Sequence, residues 1–264
     1  MAVNQKRTAL VTGASGGLGY QFAKILAREG FHLVLVARSE GKLKQLADEL
    51  RDQHNISVRV LPKDLGAPAA PDQLCKELDA EGIQIDVLIN NAGFASYGYF
   101  WETPLAAELE MMQVNMGALT HLTKLLLPGM KARGYGRVLN VASTAAFQPG
   151  PLMAVYYATK AYVLSFSEAI ACELEGSGVY VTALCPGPTE SDFQKRAAME
   201  DSKLVQNGLM TASEVAEVGY RALMQGKTSV IPGFRNRLIA LAPRFFPRTT
   251  VTHVVMNMQQ RVGH

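Results

Sequence analysis

A chain of 264 residues with 48% hydrophobic and 19% charged side chains has material for one large α/β core and excludes a disordered or low-complexity protein. Its formal charge of +3 is too mild to imply nucleic-acid binding. Three cysteines, Cys75, Cys172 and Cys185, are odd in number and lack metal-ligand spacing, which excludes a disulfide framework and predicts reduced thiols, no metal and a cytoplasmic setting.

The N-terminus runs through Lys6 and Arg7 into Thr8-Ala9-Leu10-Val11, so no signal peptide is expected ahead of the first strand. No uninterrupted apolar run reaches spanning length. Short apolar runs at 8–11, 32–36, 57–61, 86–89, 137–141, 180–184 and 228–231 read as strands. Between them, residues 17–30, 39–54, 70–81, 105–133, 156–175 and 212–225 show helical apolar spacing, with Ser39 and Thr211 as start signals. Continuous apolar strands alternating with helices predict a single doubly wound domain over 1–264, a seven-stranded mainly parallel sheet with helices on both faces. Two stretches stand outside the pattern: 188–210, which follows a strand and is the expected substrate loop, and the tail 233–264.

Thr12-Gly13-Ala14-Ser15-Gly16-Gly17-Leu18-Gly19 joins the first strand to the first helix. Its glycines allow a tight turn and close approach to a pyrophosphate, whose charge the helix start favours. The second strand ends in Arg38-Ser39, with no acid until Glu40, so a 2′-phosphate and NADP(H) are favoured over NAD(H). In Tyr156-Tyr157-Ala158-Thr159-Lys160 a phenol and an ammonium stand four residues apart on one helical face. A cation beside a phenol draws its pKa down from about 10 toward the range of a general acid.

With Asp64-Leu65, Asn90-Asn91-Ala92-Gly93, Ser143 and Pro186-Gly187 in order along the chain, these motifs resemble the short-chain dehydrogenase/reductase family over about residues 6 to 232. The glycine spacing is similar to that of its main dehydrogenase group. The resemblance implies a tetrad of Asn115, Ser143, Tyr156 and Lys160. Tyr156 would exchange the proton with the substrate oxygen, Ser143 would hydrogen-bond that oxygen, and Lys160 would lower the phenol's pKa and bind the nicotinamide ribose. Asn115 would interrupt its helix locally and hold a relay water. The dinucleotide would lie on Gly13, Ser15, Gly16, Gly17, Leu18, Gly19, Arg38, Ser39, Asp64, Leu65, Asn91, Ala92, Gly93, Tyr156, Lys160, Pro186, Gly187 and Thr189. A homodimer or homotetramer built from the 105–133 and 156–175 helices is also implied.

The expected activity is an NADP(H)-dependent carbonyl reductase or alcohol dehydrogenase; the alternatives are an NAD-preferring enzyme and a low-turnover dinucleotide-binding regulator. Phe147, Pro149, Leu152, Met153, Tyr97 and Phe193 favour a hydrophobic ketone, aldehyde or acyl-type substrate. After Glu217 there is no acid, whereas Arg221, Lys227, Arg235, Arg237, Arg244, Arg248 and Arg261 are all basic, interleaved in the tail with apolar residues. That tail suits an anionic membrane surface, an acyl carrier or phosphate-bearing substrate, a second subunit, or a fold over the substrate cleft. Pro243 and Pro247 exclude one unbroken helix through it.

Overall fold

The computed structural model describes residues 6–190 and 209–260. Strand β1 (Thr8–Thr12) shows why the apolar runs are continuous. Successive side chains of a strand point to opposite faces. Ala9 and Val11 enter one core layer with Phe22, Leu26, Leu43 and Val215, whereas Leu10 enters the other with Val34, Leu74, Leu88 and Leu122. Both faces are covered, so both kinds of position must be apolar.

β2 (His32–Ala37), β3 (Val58–Pro62), β4 (Val87–Asn90), β5 (Gly136–Val141), β6 (Val179–Leu184) and β7 (Ser229–Val230) complete a seven-stranded sheet. Its order is β3-β2-β1-β4-β5-β6-β7, and every neighbouring pair is parallel. All seven expected strands are present within one residue of their predicted ends. The order reverses between β1 and β4, where the helices leave on opposite faces and open a crevice at the carboxyl ends of the strands.

Among the described residues the helices are α1 (Gly17–Arg28), α2 (Glu40–Gln53), α3 (Ala70–Ala80), α4 (Leu105–Met112), α5 (Leu119–Ala132), α6 (Ala154–Glu173) and α7 (Ala212–Met224), with α8 (Phe234–Leu241) and α9 (Arg248–Gln259) in the tail. Thr211 starts α7 through a reciprocal cap: its hydroxyl accepts from Glu214 N at 3.2 Å and Glu214 Oε2 accepts from Thr211 N at 3.0 Å. Ser39 occupies the corresponding position of α2 but makes no side-chain cap bond. A 3₁₀ turn at Ala242–Arg244 and Pro247 divide α8 from α9, as the two prolines predict.

A buried polar chain ties the strand ends to the helices. Asn90 Nδ2 donates to Thr123 Oγ1 at 3.0 Å and to Asn140 Oδ1 at 2.9 Å, and Asn140 Nδ2 donates to Ser167 Oγ at 2.9 Å. These links fix the β4 and β5 exits against α5 and α6, on which the site is built.

Candidate active site

Thr12 laces β1 to β4 at the crevice. Its hydroxyl donates to Ile89 O at 3.2 Å and accepts from Asn91 N at 2.9 Å and Ala92 N at 3.0 Å. Asn91 Nδ2 returns to Thr12 O at 3.0 Å and Gly13 O at 3.3 Å. The Asn90–Gly93 turn is therefore the wall of the glycine loop. Thr12 was not among the predicted site residues; the available signal was a hydroxyl directly before Gly13 at a strand end.

Gly13 and Gly17 have φ of +65° and +53°, a region that favours glycine. Gly19 is required by approach: a Cβ there would stand 2.3 Å from Gly13 O. Gly16 differs, with extended backbone and nothing within 4 Å of an added Cβ. It opens the start of α1, which has no side-chain cap and no acid in its first turn. Ser15 and Leu18 lie half-buried in the same turn. An open path over glycine, leading to unpaired amides at a helix start, fits a pyrophosphate, so these residues suit a dinucleotide.

Asn115 lies in a π-helical segment, Gln113–Ala118, between α4 and α5, so the single helix predicted over 105–133 is interrupted at the residue where the resemblance implied a break. Its amide is fully committed. Nδ2 donates to Phe94 O at 3.0 Å and Thr159 Oγ1 at 3.1 Å, and Oδ1 accepts from Phe94 N at 3.1 Å. The side chain thus clamps the β4 exit to α6. Gly93 lies between Asn115 and Lys160: a Cβ there would stand 2.9 Å from Asn115 Oδ1 and 3.7 Å from Lys160 Nζ.

Ser143 follows β5 and caps the 3₁₀ turn Thr144–Phe147, accepting from Ala145 N at 3.1 Å. Its hydroxyl is hydrogen-bonded to Tyr156, which is 9% exposed. Burial raises the Tyr156 pKa, the Ser143 bond lowers it, and burial wins. The net shift is upward, because the Lys160 ammonium, which donates to Val141 O at 2.8 Å and stands 5.7 Å from the Tyr156 ring centre, does not offset the burial. Burial in turn lowers Lys160 to about 8, which leaves it mostly protonated at neutral pH. Ser143, Tyr156, Lys160 and Asn115 come together at one end of α6. Tyr157 turns away, its hydroxyl accepting from Gln259 Nε2 at 2.6 Å.

The family model for short chain dehydrogenase matches residues 7–202. The chain belongs to the short-chain dehydrogenase/reductase family. Among curated relatives of this short-chain dehydrogenase, the very-long-chain 3-oxoacyl-CoA reductase of Anas platyrhynchos is 36% identical over 184 residues, covering 67% of this chain and 58% of that protein. The ketoacyl reductase HetN of Nostoc sp. is 34% identical over 226 residues, covering 85% and 78%. The chain thus spans little more than half the length of the 3-oxoacyl-CoA reductase it matches. A solved short-chain dehydrogenase from Sphingobium yanoikuyae in complex with NADPH superimposes with a TM-score of 0.81 at 33% identity, covering 90% of this chain and 93% of the other. A 7beta-hydroxysteroid dehydrogenase gives 0.85 at 26%, covering 95% and 96%.

In this short-chain dehydrogenase Arg38 leaves β2 exposed beside Ser39, and its guanidinium meets Glu110 of α4 at 3.4 Å. Along the chain no acid follows Arg38 before Glu40. Glu110, 72 positions away, is brought there by the fold. Asp64 is exposed after β3 and accepts from Gly66 N at 3.0 Å, whereas Leu65 is buried in the core. Beyond β6, Pro186 is buried, and Thr189 Oγ1 donates to Gly187 O at 2.9 Å. A Cβ on Gly187 would stand 2.5 Å from Asn236 Oδ1, so α8 rests on this turn.

Beside Tyr156 an apolar cluster gathers Ala95, Met111, Met153 and Tyr157 with Val251 and Val255 of α9, and Phe94 and Tyr97 pack against it. The segments on either side meet where Gly98 N donates to Leu152 O at 2.9 Å, with Leu152 at φ +66°. Tyr97 Oη donates to Gln259 O at 2.7 Å. Val251 and Val255 thus pack the inner face of α9 against this cluster. Gln259, 1% exposed, was not predicted, because its partners are fixed only by folding. Phe193 and most of the expected 188–210 loop lie outside the described residues.

Proposed function

We propose that this oxidoreductase reduces a carbonyl on an apolar, acyl-type substrate with NADPH, and runs the reverse reaction on the alcohol. The observation that carries the reading is the hydrogen-bonded Ser143–Tyr156 pair beside the buried Lys160. The apolar cluster around Tyr157 supports a hydrophobic substrate. The 3-oxoacyl-CoA and ketoacyl reductases among the relatives support a 3-oxoacyl chain. Arg38 and the NADPH complex of the Sphingobium protein support the phosphorylated cofactor.

Gly13, Ser15, Gly16, Gly17, Leu18 and Gly19 would hold the pyrophosphate, Arg38 and Ser39 the adenosine ribose and its phosphate, and Asp64 and Leu65 the adenine end. Asn91, Ala92, Gly93, Lys160, Pro186, Gly187 and Thr189 would hold the nicotinamide end. A reduced nicotinamide held there would supply the hydride for the carbonyl carbon. Ser143 orients the carbonyl oxygen and stabilises the charge that grows there. Tyr156 gives that oxygen its proton, a transfer favoured as the oxygen becomes alkoxide-like. The Lys160 ammonium stabilises the phenolate left behind. Asn115 acts as a positioning residue, holding Phe94 and Thr159 so that Lys160 and the Gly93 turn keep their places.

Tyr156→Phe tests this. NADPH oxidation by 3-oxoacyl thioesters and hydrophobic ketones should fall about 10²- to 10⁴-fold while NADPH binding is kept. Unchanged turnover in the variant, or activity confined to small polar sugars, would overturn the proposal.

A further inference from the structure

The tail has an inner face, which covers the Tyr157 cluster, and an outer face that the reductase chemistry does not use. In α8, Ala240 is buried and Asn236 lies on Gly187, so this small, polar side meets the protein. Phe234, Leu238 and Leu241, at i, i+4 and i+7, form a stripe that points outward at 75%, 53% and 45% exposure. This inverts the usual arrangement, in which the large apolar stripe is the buried one. The stripe continues through Phe245 and Phe246, at 80% and 59% exposure, and through Val254 of α9. Arg235, Arg237, Arg244 and Arg248 are exposed among them, and no acid occurs in this part of the chain.

We propose that α8 and the connection into α9 form a docking surface for an anionic phospholipid bilayer. Aromatic and aliphatic side chains would enter the headgroup boundary while the interleaved arginines meet lipid phosphates. Charge decides against a second copy as the occupant. A two-fold interface centred on this segment would gather the arginines of both copies at one contact, with no carboxylate from the segment to answer them. An acidic protein would meet the arginines and leave the aromatic stripe without a matching apolar partner. No described helix is long and apolar enough to cross a membrane, so contact through this face would be peripheral. α8 also rests on the Pro186–Gly187 turn and packs against the 3₁₀ turn after Ser143, so docking would set the active-site mouth at the bilayer surface.

Co-flotation of the full chain with vesicles tests this, using equal parts phosphatidylcholine and phosphatidylglycerol against phosphatidylcholine alone. The wild type should float with the anionic vesicles, less so as salt is raised. Arg244→Ser/Arg248→Ser and Phe245→Ser/Phe246→Ser should each cut partition about tenfold. All these positions are exposed, so thermal unfolding should be unchanged, which separates lost docking from lost fold. Absence of flotation with anionic vesicles, or equal partition of wild type and both variants, would overturn the proposal. So would a fall in oligomer mass caused by the phenylalanine pair, which would assign the face to a second copy, or capture by an acidic carrier protein in preference to the vesicles.

Discussion

Gln259 Nε2 donates to the Tyr157 hydroxyl at 2.6 Å across 102 positions of sequence, so the last turn of the described tail is bonded to the residue next to the proposed acid. Both groups are buried, and burial pushes the Tyr157 phenol up to about 12, which keeps it neutral. Gln259→Ala leaves that phenol without its partner. A loss of about 1–3 kcal/mol in urea unfolding is expected, because a buried polar group left unpaired keeps its full desolvation cost. Tyr157→Phe/Gln259→Leu, which removes both polar ends, should lie closer to wild type than either single variant. Single variants with wild-type stability would show that the bond holds nothing.

Two glycines of the same loop should separate by measurement. Gly19→Ala brings a Cβ to 2.3 Å from Gly13 O, a main-chain atom that can move only with the loop. It should cost about 1–3 kcal/mol in chemical denaturation. Gly16→Ala meets nothing within 4 Å and has a φ of 177°, open to any residue. Its stability should stay within about 0.5 kcal/mol of wild type. If Gly16 faces the pyrophosphate, NADPH binding should nonetheless weaken about tenfold, or about 1.4 kcal/mol, in a fluorescence titration. Unchanged binding in Gly16→Ala would move the phosphate path elsewhere.

What was legible in the sequence follows from how far each signal reaches. Strand β1 announces itself because Ala9, Leu10 and Val11 are each fixed by a covered face, and Thr211 announces α7 because its cap partner Glu214 is three residues away. Asn115 stood out as a poor helix residue, and the π-helical segment is where it lies. Contacts over long separations carried no such mark. Glu110 reaches Arg38 over 72 positions and Asn91 reaches Thr12 over 79, and neither pairing leaves a period or a spacing to read. The burial of Tyr156 is likewise invisible in the sequence. Spacing puts Lys160 on the same face of α6, but only the fold shows its ammonium donating to Val141 O and the phenol losing its water.

The cost of burying that ammonium sets a pH dependence. Lys160 moves from 10.5 in the open chain to about 8 in the fold, with burial as the cause. Between those values the unfolded chain binds more protons than the folded one, so this group makes the protein more stable as pH rises through that window. Below about 8 both states are protonated and the penalty is constant. Cys185, pushed up to about 12 by burial, stays a neutral thiol throughout. Lys160→Met should therefore gain stability over wild type at pH 7 and lose about 3 kcal/mol of that advantage by pH 10.5. Urea unfolding of both proteins across the range measures it, and a constant difference would place the ammonium in a wetter site.

Arg38 and Glu110 together should set the cofactor preference. Their 3.4 Å contact is an exposed ion pair, with 67% and 43% of the side chains accessible, and such pairs contribute only about 0–1 kcal/mol. A 2′-phosphate carries more charge and more acceptor oxygens than the carboxylate, so it can displace Glu110, but the acid remains nearby and opposes it. Arg38→Ala should weaken NADPH binding about tenfold or more and leave NADH nearly unchanged. Glu110→Gln should do the reverse, tightening NADPH about two- to fivefold, because the guanidinium is released and a like charge is removed. Competitive titration of the two cofactors against each variant measures both effects. Equal losses of NADPH and NADH in Arg38→Ala would identify the guanidinium as packing on the adenine instead, and would favour the NAD-preferring reading.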